Sequence, residues 1–163
     1  GHGEQDEPVR ERGEDLRGRR ADVPEALDAQ APLGLYGYQA DPATPAFPLA
    51  LISPASERTI SSTLAELPRP DVHLLMNADD AAARGLEEGN PIRIFNELGE
   101  VRCRVTIGTW IRPGTVSLPK GLWRRHTTNG YTANALASDT LSDLGGGACF
   151  NDTRVQVERM PDA

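Results

Sequence analysis

Apolar and polar residues alternate along this chain with a period of two far more often than with a helical period. Leu49-Ala50-Leu51-Ile52-Ser53 is a short apolar run stopped by Pro54. Val72 to Met76, Pro91 to Asn96 and Thr115 to Leu118 follow as further strands. The clearest alternation runs from Val101 to Ile107: Val101, Cys103, Val105 and Ile107 face one way, Arg102, Arg104 and Thr106 the other. Arg154 to Arg159 is the last strand, with Val155 and Val157 inward. Glu97 to Glu100 reads as a hairpin loop and Arg112-Pro113-Gly114 as a turn.

One stretch asks for a helix. Asn77 is a capping residue, Asp79 and Asp80 occupy the first turn where the helix dipole favours negative charge, and Gly85 after Arg84 is a C′ glycine. The body is therefore mainly β, about six or seven short strands around one short helix. Strands this short suit a closed barrel or a sandwich, and periodicity does not choose between them.

Two segments have no such pattern. Residues 54–63 form a polar, hydroxyl-rich turn, with a short helix over 59–64 as its structural reading. Residues 119–152 form a long glycine-rich region without strand pattern, and a compact domain rarely keeps so long an irregular segment unless it binds something. That region carries Lys120, Arg124, Arg125, the amides Asn134 and Asn151, and exposed glycine backbone, which is chemistry for an anionic, hydrogen-bond-rich ligand.

Composition adds boundaries. Residues 1–22 are polar and mixed in charge, a disordered arm or in part a cloning remnant. Residues 23–48, with Pro24, Pro32, Pro42, Pro45 and Pro48, read as a strap or linker that has room for a short helix at 24–29. Residues 49–163 are the folded body. The net charge is −7, of which −4 lies in residues 1–30, and the absence of a basic stripe argues against nucleic acid. No apolar run is of membrane-spanning length and the charged N-terminus is no signal peptide, so the expectation is a protein without a membrane segment. Cys103 and Cys149 are too few for a disulfide framework, which points to a reducing, cytoplasmic setting. Cys103 lies on the buried side of its strand, and Cys149 reads as a packed thiol.

The spacing of several residues resembles a known family. The run Asn77-x-x-Asp80-Ala81-x-x-x-Gly85-Leu86-x-x-Gly89-Asn90 is followed by Ile92-x-Ile94-Phe95-Asn96-x-x-Gly99 and Ile111-Arg112-Pro113-Gly114. Further on come Pro119-Lys120-Gly121-Leu122-Trp123, Thr132-Ala133-Asn134-Ala135-Leu136 and Phe150-Asn151-Asp152-Thr153-Arg154-Val155. Together they resemble the C-terminal molybdopterin-dinucleotide-binding domain of molybdenum and tungsten oxidoreductases, the class of formate dehydrogenases and of reductases of nitrate, dimethyl sulfoxide and polysulfide. The resemblance covers residues 48–159. It implies a double-psi β-barrel with one or two short helices and a long glycine-rich loop. It also implies that the domain closes over a pair of pterin guanine dinucleotides that hold one molybdenum or tungsten ion in the parent enzyme. The metal ligand, the iron–sulfur cluster and the substrate funnel then belong to the remaining domains of that parent, the partners of this one. Such a chain grips cofactor and catalyses nothing alone.

On that resemblance the cofactor-binding candidates are Ser56, Glu57, Arg58, Thr59 and Ser62 in the first polar turn, and Lys120, Gly121, Asn134, Phe150 and Asn151 in the glycine-rich region. Lys120 supplies charge for a diphosphate and Gly121 lets backbone approach closely. Asn134 offers an amide to guanine or phosphate and also reads as the cap of a helix starting at Ala135. Phe150 and Asn151 can close over a guanosine. Trp123 and Tyr131 read as core or interface packing residues, with stacking on a ligand ring as the alternative; Asn77, Asp79 and Asp80 read as structural, and neither His73 nor His126 has a second ligand at metal-binding spacing. Gly145-Gly146-Gly147 is not a phosphate loop, because no lysine follows. Two other uses of the same barrel compete. A protein-interaction module would have no need of residues 119–152, and a self-processing decarboxylase would need a Gly-Ser dipeptide, which the sequence lacks.

Overall fold

In the computed structural model, which describes residues 41–56, 62–63, 66–67, 71–142 and 146–161, the alternating strands curl into a closed barrel. The elements are β1 (Leu49–Ile52), β2 (His73–Asn77), α1 (Ala78–Ala82), β3 (Pro91–Phe95), β4 (Glu100–Gly108), β5 (Thr115–Ser117) and β6 (Arg154–Arg159). Their order around the barrel is β1-β5-β2-β4-β3-β6. β6 bonds to both β3 and β1, and that closure decides for a barrel over a sandwich. β1 and β5 run parallel, as do β2 and β4; the remaining neighbours are antiparallel. This is the double-psi β-barrel that the resemblance implies.

The interior follows the pleat. Leu49 and Leu51, Leu74 and Met76, Ile92 and Ile94, Val101 and Val105, Val116, Val155 and Val157 are all buried and form one core. Each such side chain removed from water is worth about 1.5–3 kcal/mol as an upper figure, so the core outweighs any surface ion pair on this chain. Cys103 sits in that core as expected, and burial pushes its thiol up to about 12, against a small opposing hydrogen bond with the Leu74 backbone.

At one end of the barrel α1 caps the core. The Asn77 carboxamide accepts from the Asp79 amide at 2.8 Å and donates to the Ile111 carbonyl at 2.7 Å. An Asp80 carboxylate oxygen accepts from the Gly114 amide at 2.7 Å. These side chains are structural, tying α1 to the 109–114 turn. The helix proper stops at Ala82, two residues earlier than the pattern predicts. Its exit is a Schellman turn, with Leu86 N–H on the Ala81 carbonyl and Gly85 N–H on the Ala82 carbonyl.

At the opposite end β1, β3 and β5 finish and β2, β4 and β6 begin, so the described residues that flank these strands in 53–72, 96–99 and 118–153 leave and enter the barrel there. Of the strap, residues 41–48 lie against β3 and β6. Asp41 pairs with the Arg154 guanidinium at 2.7 Å, and Phe47 meets Phe95 edge-on with ring centroids 6.2 Å apart. The Arg93 guanidinium covers Phe95 at 4.3 Å. The expected arm at 1–22, the rest of the strap with its short helix at 24–29, and the helix at 59–64 lie outside the described residues, Thr63 and Ser62 excepted.

Candidate functional site

The glycine-rich region is led across the open end of the barrel by backbone pairing. Leu118 N–H donates to the Ile52 carbonyl and Lys120 N–H to the Pro54 carbonyl, both at 3.0 Å, so the β1–β5 ladder continues past the strands. Gly121 then turns the chain at φ 75°, a left-handed conformation that side chains other than glycine's strain to adopt. Leu122 is buried and anchors the turn. The Trp123 indole N–H donates to the Ser62 carbonyl at 2.9 Å, which joins the two polar segments. The chain returns through short 3-10 turns at Arg124–His126 and Ala133–Ala135, is pinned by the fully buried Leu136, and re-enters the barrel through a 3-10 turn at Phe150–Asp152.

These turns enclose a cavity of about 220 Å³, lined by Leu51, Ser53, Lys120, Ala133, Asn134, Ala137, Phe150 and Thr153. Three predicted side chains, from three separate turns, therefore meet at one place: Lys120, Asn134 and Phe150. Lys120 is exposed and has no ion-pair partner among the described residues. The Asn134 carboxamide makes no hydrogen bond within the described residues, and the Phe150 ring is 47% exposed. An ammonium, an amide and a partly exposed aromatic residue, the first two without a side-chain partner among the described residues, thus border one cavity.

Asn134 also lines a larger open groove of about 740 Å³, between Leu122, Trp123, Arg124 and Arg125 on one side and Gly130, Tyr131 and Thr132 on the other. Trp123 is 39% and Tyr131 54% exposed, so neither is a core residue, contrary to half of the sequence expectation. The Arg125 guanidinium lies 5.0 Å from the Trp123 ring. The residue at the cap position before the 133–135 turn is Thr132, and Asn134 sits within the turn; the expected capping role is therefore absent and its amide is left for other partners.

The remaining candidates divide. Gly121 neighbours the cavity through Lys120, and Asn151 is exposed in the turn next to Phe150. Ser56 and Ser62 do not line the cavity; Ser62 serves through its carbonyl, as the acceptor for Trp123. Glu57, Arg58 and Thr59 lie outside the described residues. Ser53 and Thr153 are lining residues with no sequence signal beyond their place at strand ends. Among the described residues no group of three or more His, Cys, Asp or Glu is placed to hold a metal ion, and His73 is engaged with the Thr106 hydroxyl at 2.8 Å.

Comparison with known proteins bears on the family and the fold. Residues 51–154 match the family model described as the molydopterin dinucleotide binding domain. The chain is 40% identical over 87 residues to a protein named probable oxidoreductase YoaE of Bacillus subtilis, covering 53% of this chain and 13% of that one. It is 30% identical over 150 residues to the dimethyl sulfoxide reductase DmsA of Escherichia coli, covering 85% of this chain and 18% of that one. The chain thus spans less than a fifth of the length of these two relatives. Acetylene hydratase from Pelobacter acetylenicus superimposes with a TM-score of 0.64 at 17% identity, over 76% of this chain and 21% of that one, a likeness of fold. The family model covers more than half of the chain and the barrel agrees with it: the chain belongs to the molybdopterin dinucleotide-binding domain family.

Proposed function

We propose that this chain is the part of a larger molybdenum or tungsten oxidoreductase that grips the dinucleotide ends of the cofactor. The observation that carries the reading is the meeting of Lys120, Asn134 and Phe150 around one cavity. The residues fit the group: Lys120 neutralises a diphosphate, Asn134 offers both a donor and an acceptor to a guanine or pterin edge, and Phe150 covers a ring. Gly121, Asn151, Ser56, Glu57, Arg58, Thr59 and Ser62 complete the proposed contacts. The bound metal supplies the redox chemistry; this chain's residues bind, orient and exclude water.

The iron–sulfur cluster, the protein ligand to the metal and the substrate funnel are assigned to other parts of the parent. The relatives named for dimethyl sulfoxide reduction make an oxide reductase the first parent activity to test. Seven of the eight large apolar side chains exposed among the described residues belong to the cavity end of the barrel, Trp110 being the exception. A patch of that kind marks a surface meant to be covered, and the remaining domains of the parent are its proposed cover. Among the described residues no helix is long and apolar enough to cross a membrane, and two free cysteines suit a reducing compartment, the cytoplasm in this proposal.

The test is Lys120→Ala in the full-length protein that carries this chain. Pterin and metal content should fall severalfold while the melting temperature stays within about 2 °C, since an exposed lysine without an ion-pair partner among the described residues contributes little to folding. Unchanged cofactor content with a lowered melting temperature would contradict the assignment.

A further inference from the structure

We propose that the carboxamides of Asn96 and Asn129 are positioning residues that hold the 119–136 loop in its ligand-ready shape before any ligand arrives. Each carboxamide substitutes for backbone pairing that the barrel does not supply. The first half of β4 lacks a strand partner on its β2 side, because β2 pairs only with Arg104 to Gly108. Asn129 fills that edge: its oxygen accepts from the Arg102 amide at 3.0 Å and its NH₂ donates to the Glu100 carbonyl at 3.1 Å. Beside it, Thr128 N–H donates to the Arg102 carbonyl at 2.9 Å, so the 127–130 turn is held against the β4 edge by one backbone bond and the Asn129 side chain.

Asn96 pins the far side of the loop. Its NH₂ donates to the Leu136 carbonyl at 2.8 Å and to the Arg154 carbonyl at 3.2 Å, while its oxygen accepts from the Leu98 amide at 3.0 Å. One half-buried side chain thereby joins the β3–β4 hairpin, the 133–136 turn and the start of β6. Gly99 clears the path, since a Cβ there would stand 2.9 Å from the Ala135 carbonyl oxygen. Between the two pins lies Asn134, at the border of the cavity and the open groove. Holding it there in the free protein lowers the ordering cost of binding.

The inference rests on the dinucleotide reading, and two readouts on the 163-residue chain keep their failures apart. Amide hydrogen exchange by NMR is compared for wild type, Asn96→Ala and Asn129→Ala, and GDP is titrated into each. Asn96→Ala should speed exchange at Ala135 and Leu136, and Asn129→Ala at Thr128 and Arg102, while the barrel amides of Val105 and Leu118 keep their protection. GDP affinity should drop about tenfold in each variant, the factor that accompanies roughly 1.4 kcal/mol of lost preorganisation. Exchange that rises evenly over loop and barrel would reduce both residues to general stabilisers, and a locally loosened loop that binds GDP as before would also overturn the proposal. GDP that binds neither wild type nor variants contradicts the dinucleotide reading, and the exchange pattern alone then decides whether the carboxamides hold the loop.

Discussion

Lys120 is an exposed ammonium at a concave site with no carboxylate partner among the described residues, on a protein of net charge −7. Asn134 is its counterpart: a carboxamide in a tight turn that bonds to nothing described around it. Asn134→Ala should therefore weaken GDP binding severalfold and leave unfolding free energy within about 0.5 kcal/mol of wild type, as denaturant titration would show. Cys103 behaves differently, since its thiol is pushed up to about 12 by burial. In the unfolded chain the same thiol ionises near its ordinary 9.0. The folded state thus holds its proton longer, and the stability this group contributes is fully present below pH 9 and lost as pH rises towards 12. Alkaline melting curves should show that loss, and Cys103→Ala should remove it; an identical alkaline slope in the variant would contradict the assignment. That Lys120 and Asn134 border one cavity fits the sequence expectation that charge and amides in a patternless segment have few structural uses. Asn129 was not legible: its role is to bond to a strand edge 27 residues away, and no local signal announces that.

At the scale of elements, α1 was legible because its determinants are neighbours in sequence: cap, acidic first turn and C′ glycine. Asn77→Ala should destabilise the fold by about 0.5–2 kcal/mol for the cap, with a further loss for the buried Ile111 carbonyl left unpaired, measurable by urea unfolding. A change of under 0.3 kcal/mol, well below what a lost cap costs, would mean that water replaces the carboxamide. The 3-10 turns were not legible. Three residues carry no period, and the fold of 133–135 is set by Leu136 entering the core and by Gly99 making room, both tertiary causes. That is why Asn134 was read as a cap and found inside the turn. β4 lies at the other extreme, nine residues whose alternation alone fixes its buried face.

At the scale of the molecule, strand positions could be read but closure could not, because it depends on β6 finding both β1 and β3 across long separations. The two ends of the barrel differ. One end is sealed by α1 and the 109–114 turn; the other carries the cavity, the groove and most of the exposed apolar side chains. The chain covers under a fifth of the length of the two relatives compared with it, and the proposed function assigns the covering of that end to the rest of a larger protein. The most direct test of this account is to purify the full-length protein from its source without a tag and measure metal and released guanine nucleotide together. The account predicts molybdenum or tungsten in stoichiometric amount, with two guanine nucleotides for each metal ion as the paired dinucleotides require. A well-folded native protein with neither metal nor guanine nucleotide would contradict it.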